Sequence, residues 1–156
     1  MEQTTEFPSP SERTRRDMLA VVVRAKRAEL ELAIREAWPD LAVTDLRPAQ
    51  SGLVMLRGRI GGDGAPFNLG EASMSRAAIA LETGEIGHGH VLGRDFERAR
   101  LVAIVDALWQ RNADRMRIEN EVLVPIRQRI ARERAEEQAK TAATRVDFFT
   151  LVRGED

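Results

Sequence analysis

The chain is 156 residues long, 43% hydrophobic and 31% charged, with a net charge of −1. That is the make-up of a soluble globular protein of one domain with its own core, and it exerts no overall pull toward nucleic acid or a membrane surface. Cysteine and tyrosine are absent, which excludes disulfides, thiolate metal centres and cysteine nucleophiles and removes one common general acid. No apolar run approaches the roughly 20 residues that span a bilayer. Residues 1–13 lack the basic start and apolar stretch of a signal peptide, so the expected location is the cytoplasm. The basic residues are arginines except for Lys26 and Lys140. Arginine suits bidentate pairing with carboxylates and phosphates, although genomic base composition produces the same bias.

Residues 1–8 read as a loose polar tail and residues 9–156 as a single domain. Ser9 at the N-cap, Pro10 at the first helical position and Glu12 begin a helical stretch. It runs to Trp38, where Pro39 ends it. Lys26 interrupts the apolar stripe, so two helices joined near residues 26–28, or one bent helix, both fit. The period then shifts toward two. Residues 41–46 read as a short strand and residues 53–60 as another, with Val54, Leu56 and Ile60 on one face and Arg57 and Arg59 on the other. After the loop Gly61-Gly62-Asp63-Gly64-Ala65-Pro66, a long strand is expected over 68–81. A hairpin turn follows at 82–85, with Gly84 able to take positive φ, and then a partner strand over 86–92.

Asp95 caps a helix from Phe96 to about Arg111, with Leu101, Ile104, Val105 and Leu108 at helical spacing. A last helical region spans 113–143, kinked or broken by Pro125. Its second half carries an alanine stripe (Ala131, Ala135, Ala139, Ala142) among charge pairs such as Arg129/Glu133. Such a helix either projects into solvent or packs closely through its alanines. The C-terminal stretch 144–156 holds Phe148 and Phe149, two of the chain's seven aromatics. Termini are usually polar, so this one must be buried somewhere. The pattern as a whole is α+β: a small antiparallel β-meander packed against several helices, with an Ala/Arg-rich helix and an apolar C-terminal tail.

Three local features could carry chemistry. Both histidines fall in EIGHGHVLGRD (85–95). On a strand His88 and His90 share one face, about 6.5–7 Å apart, and could hold one metal ion if a third ligand came from elsewhere; the simpler reading is a pair of half-exposed strand histidines beside glycines. The loop GGDGAPFNLG could cradle a phosphate, but it lies between two strands and has neither the P-loop lysine nor the dinucleotide-binding spacing, so a hairpin connection accounts for it. Arg94 stands where a strand turns into a helix and could face an anion, while Asp95 is most simply an N-cap. No spacing marks a carboxylate pair or a Ser-His-Asp set. This profile suits a subunit of something larger better than a self-sufficient enzyme.

The stretches SGLVMLRGRIGGDGAPFNLGE (51–71), VLGRDFERARLVAIVDALWQ (91–110) and TRVDFFTLVRGED (144–156) together resemble the PhnG family, subunits of the bacterial carbon–phosphorus lyase system. The likeness runs from about residue 14 to the end. It implies a core complex with PhnH, PhnI and PhnJ that lets bacteria use alkylphosphonates. It further implies a step, shared with PhnL, in which methylphosphonate displaces adenine from MgATP to give α-D-ribose 1-methylphosphonate 5-triphosphate. On the same resemblance PhnM then removes pyrophosphate. The iron–sulfur cluster and S-adenosylmethionine belong to another subunit, PhnJ, since clusters need cysteine thiolates and this chain has none. The resemblance implies no cofactor and no metal in this chain, and it carries over no catalytic residue. It moves the weight from His88 and His90 to Gly93, Arg94 and Asp95. Gly61, Gly62, Gly64, Phe67, Gly70, Arg76, Arg145, Asp147, Phe148, Phe149 and Arg153 become candidates for assembly or for lining a shared site. Phe148 and Phe149 would dock on their own domain or against a partner, where aromatic and Arg anchors dominate binding.

Three functions therefore stand at this point. The first is a subunit of the phosphonate nucleosylation complex, supporting assembly more than catalysing alone, with a homodimer open to the isolated chain. The second is an autonomous metal-dependent enzyme using His88 and His90. The third is nucleic-acid binding by Arg127, Arg129, Arg132 and Arg134, against which Glu133, Glu136 and Glu137 interrupt any basic stripe.

Overall fold

The computed structural model describes residues 10–61 and 63–143. Helices α1 (Pro10–Val22) and α2 (Arg27–Ala37) are separate, the first of the two arrangements the sequence allowed. At the start of α2 the Lys26 N–H donates to Glu29 Oε2 at 2.8 Å, which fixes the first turn. Met18, Val22, Leu30 and Ile34 are buried on one side of the pair. The second helix closes with the Trp38 N–H donating to Ile34 O at 2.9 Å, just before Pro39. The expected cap at Ser9 lies outside the described residues.

Strands β1 (Val43–Arg59), β2 (Pro66–Leu81) and β3 (Ile86–Leu92) form one antiparallel sheet in the order β1-β2-β3. Where two strands were expected between residues 41 and 60, β1 is a single strand. Its pairing with β2 shifts between Asp45 and Arg47 and again between Arg47 and Gln50, an interval that contains Pro48, which has no N–H to give the ladder. The interruption breaks the period-two pattern without ending the strand. The β2–β3 turn is as expected, with Gly84 at φ 99° and the Leu81 N–H bonded to Glu85 O.

Helix α3 (Phe96–Gln110) lies across the sheet and supplies much of the core: Val102, Val105 and Leu108 are fully buried and pack with Ile79, Val91 and residues of α1 and α2. It reaches the sheet over glycine. A Cβ on Gly87 would lie 1.9 Å from Ala103 O, and one on Gly89 would lie 1.9 Å from Ala99 O. Only a residue without a side chain lets helix backbone rest on strand backbone here. Side chains of α3 also occupy the free edge of β3. Arg98 Nη2 donates to Leu92 O, Gln110 Nε2 donates to Ile86 O, and Asp106 Oδ2 accepts from the His88 N–H.

Helix α4 (Asn112–Ile118) runs into a π-helical turn (Glu119–Leu123) and on into α5 (Val124–Ala143). Pro125 was expected to kink or break this region. The widened turn just before it absorbs the missing N–H and the crowding of the ring against the preceding turn, so the chain stays helical. Arg129 anchors α5 through Glu29 (2.6 Å) and Arg24 O (2.8 Å), and bonds Glu133 within the helix (2.7 Å). Residues 131–142 beyond it are exposed, so the alanine stripe projects. Gly62 and the tail 144–156, with Arg145, Asp147, Phe148, Phe149 and Arg153, lie outside the described residues.

Candidate functional site

The alternation Gly-His-Gly-His sorts by face. Gly87 and Gly89 point into the contact with α3, and His88 and His90 stand exposed on the opposite face. Register places two rows on that open face, because directly paired residues share a face. Gln50, Arg76 and His90 form one row; Arg47, Ala78 and His88 form the other. With Leu46 and Ala77, the two arginines, Ala78 and the two histidines line a shallow cavity of about 360 Å³. The Gln50 amide is satisfied only with its oxygen toward Arg76, where it accepts from Nε and Nη2 at 3.0 Å each. Arg76, one candidate from the sequence, thus meets the two histidines. Arg47 was not a candidate: it sits next to Pro48 where the alternation slips, so its face could not be assigned.

The Gly93-Arg94-Asp95 turn is built around a serine the sequence did not single out. Ser75 is fully buried; its hydroxyl donates to Gly93 O at 2.8 Å and accepts from the Asp95 N–H at 2.9 Å. Gly93 takes φ 89°, and its N–H bonds to Ser73 O at 2.8 Å. Asp95 Oδ1 accepts from the Arg98 N–H at 3.0 Å, so Asp95 caps α3. Arg94 is exposed and makes no ion pair among the described residues.

Gly61, Gly64 and Phe67 are placed elsewhere, at the tip of the β1–β2 hairpin. β3 pairs with β2 no further than Met74↔Leu92, and past that point β1 and β2 pair only with each other among the described residues. On this arm the register skips between Leu56↔Gly70 and Arg57↔Asn68. Leu69 is the extra residue, and the bulge switches the parity of β2. Phe67 and Leu69 therefore share the face of Val54, Leu56 and Gly58; Leu69 Cδ1 lies 3.4 Å from where a Cβ on Gly58 would be. The arm is apolar and uncovered: Leu53 is 64% exposed, Ile60 75% and Leu69 64%.

The buried polar groups are structural. Asp106 is fully buried and accepts from Arg15 Nε and Nη2 at 2.6 Å each. Those hydrogen bonds hold the Arg15 guanidinium above its usual pKa. Trp38 Nε1 donates to Asp114 Oδ1 at 2.9 Å, and Arg111 pairs with the other oxygen at 2.9 Å. Among the described residues no three of His, Asp and Glu come together as a metal site, and none of them gives His88 and His90 a third ligand. No described helix is long and apolar enough to cross a membrane.

An α+β unit whose apolar arm is left uncovered by the described residues has the build of an assembly subunit. The family is specific: residues 13–154 match the model of the phosphonate metabolism protein PhnG, and the chain belongs to that family. It is 49% identical to the α-D-ribose 1-methylphosphonate 5-triphosphate synthase subunit PhnG of Rhizobium meliloti (strain 1021) over 142 residues, covering 91% of this chain and 90% of that one.

Proposed function

We propose that the chain is a subunit of a ribose 1-methylphosphonate 5-triphosphate synthase assembly. There it supports transfer of methylphosphonate to the ribose C1 of MgATP with release of adenine. The observation that carries this reading is the 49% identity to a subunit of that synthase across nearly the whole chain. The uncovered arm supports it, since a two-stranded ribbon is marginal in water and contiguous exposed apolar surface marks an interaction site. The partners are PhnH, PhnI and PhnJ, with PhnL joining for the nucleosyl transfer, and the protein works in the cytoplasm. Gly61, Gly62, Gly64 and Phe67 serve assembly at the arm. Arg145, Asp147, Phe148, Phe149 and Arg153 serve it at the C-terminus. Gly93, Arg94 and Asp95 present Arg94 from a rigid turn toward the shared site.

A tagged pull-down from a phosphate-starved host, read by mass spectrometry, tests the assignment. Co-elution of PhnH, PhnI and PhnJ is expected. A chain that emerges alone, and that turns over ATP with methylphosphonate unaided, would overturn it.

A further inference from the structure

We propose that the open face of the sheet binds a tetrahedral phosphorus oxyanion, a phosphate or phosphonate group, between Arg47, Arg76, His88 and His90. This goes beyond membership of an assembly, because it puts an anion site on this chain's own residues.

Charge comes first. Arg15, Arg98, Arg100, Arg111 and Arg129 are all paired with carboxylates. Arg47 and Arg76 pair with none among the described residues, and no carboxylate lines the cavity. Both guanidiniums line one cavity, like charges repel, and no carboxylate among its lining residues offsets that. The two guanidiniums bring two positive charges to the site, which matches a phosphate or phosphonate dianion.

Donor geometry comes next. A guanidinium has five N–H donors in a fixed plane. Gln50 takes one from Nε and one from Nη2 of Arg76, which holds the plane and leaves the Nη1/Nη2 edge free for a bidentate contact. The two rows stand about 7 Å apart along the strands, with neighbours about 5 Å apart across them. Ala78 lies between Arg47 and His88 and forms a low floor, since its side chain is a single methyl. A planar carboxylate offers two oxygens in one plane to such an array. A tetrahedral group offers three, and can reach both rows at once. A metal ion would meet two guanidiniums beside the imidazoles, which is repulsive. A cavity of about 360 Å³ falls in the range of small-molecule sites.

Both histidines of the chain stand at this site and there are no others, so two imidazole signals report on it directly. The test is an NMR titration of the full-length protein at fixed pH and ionic strength, with inorganic phosphate, methylphosphonate, ATP and acetate as probes. Saturable shifts of both imidazole signals are expected with the phosphorus compounds. Arg76→Ala and Arg47→Ala should each weaken the response about tenfold or more. Arg76→Lys should also weaken it, because the charge stays but the fork is lost. Both sites are on the exposed face, and an unchanged amide spectrum shows that a variant is folded. A tighter response to methylphosphonate identifies the phosphonate as occupant; a tighter response to ATP identifies the nucleotide's phosphate tail. No saturable shift, an equal response to acetate, or a response that persists in the Arg47→Ala/Arg76→Ala double variant would overturn the site. The titration uses the chain alone, so its failure leaves the pull-down result standing.

Discussion

The β1–β2 hairpin is one structure at its base and another at its tip. At the base, Ala77, Ile79 and Leu81 of β2 are buried beneath α3, and Arg47, Gln50, Arg76 and Ala78 face outward, with Leu46 the exposed apolar side chain among them. Further along the same two strands, Leu53, Leu56, Ile60 and Leu69 are exposed, and the bulge at Leu69 gathers apolar side chains onto one face instead of alternating them with polar ones. The base obeys the rule for a half-covered antiparallel sheet. The tip obeys it only if something outside the described residues covers it. Apolar patterning in a strand therefore says that a face is covered, without saying by which chain.

The sharpest way to break this comparison is at the base. Gly89→Val places a side chain where Ala99 O already stands, 1.9 Å from the Cβ, and should cost about 4 kcal/mol or more. A urea unfolding curve reads this, and a loss under about 1 kcal/mol would mean that α3 does not rest on β3. Arg15→Ala comes next. It strands the Asp106 carboxylate, whose side chain is 1% exposed against 38% for Arg15, and should cost about 3 kcal/mol by the same measurement. Ser75→Ala removes the hydroxyl that ties Gly93 O to the Asp95 N–H and should cost about 1–3 kcal/mol. Faster hydrogen exchange at the first turn of α3 would place that loss at the turn. The smallest effect on stability belongs to the tip. An Ile60→Ser/Leu69→Ser double variant should unfold within about 0.5 kcal/mol of the parent chain, yet lose co-purification with the partner subunits. A large loss of stability in the isolated chain would show that the arm packs on its own domain.

Local pattern carried much of the fold. The α3 span, its Asp95 cap, the turn at Gly84 and the strand 86–92 all follow from spacing and from turn or cap chemistry within a few residues. Long-range causes were not legible. The alternation of glycine with histidine was visible, but the helix backbone that requires Gly87 and Gly89 comes from residues 99–107. Arg15 and Asp106 are 91 positions apart, and no single-sequence pattern joins them. Ser75 looked like any strand serine, because its partners are the backbone of a turn 18 and 20 residues on. At the candidate site Arg76 could be picked out by resemblance and the histidines by rarity. That they share a face with Arg47 depends on the register slip around Pro48, which only pairing with β2 reveals.

The three side chains that α3 lays along the free edge of β3 have a consequence for growth of the sheet. An exposed strand edge invites a fourth strand from any chain that passes. At β3 the Leu92 and Ile86 carbonyls and the His88 amide are already spoken for by Arg98, Gln110 and Asp106, so a newcomer would have to strip them off. At the outer edge of the 17-residue β1, no such side-chain bond to the strand backbone is found among the described residues. Among the described residues, extension of this sheet by a neighbouring polypeptide is thus directional: blocked at β3, and left to β1.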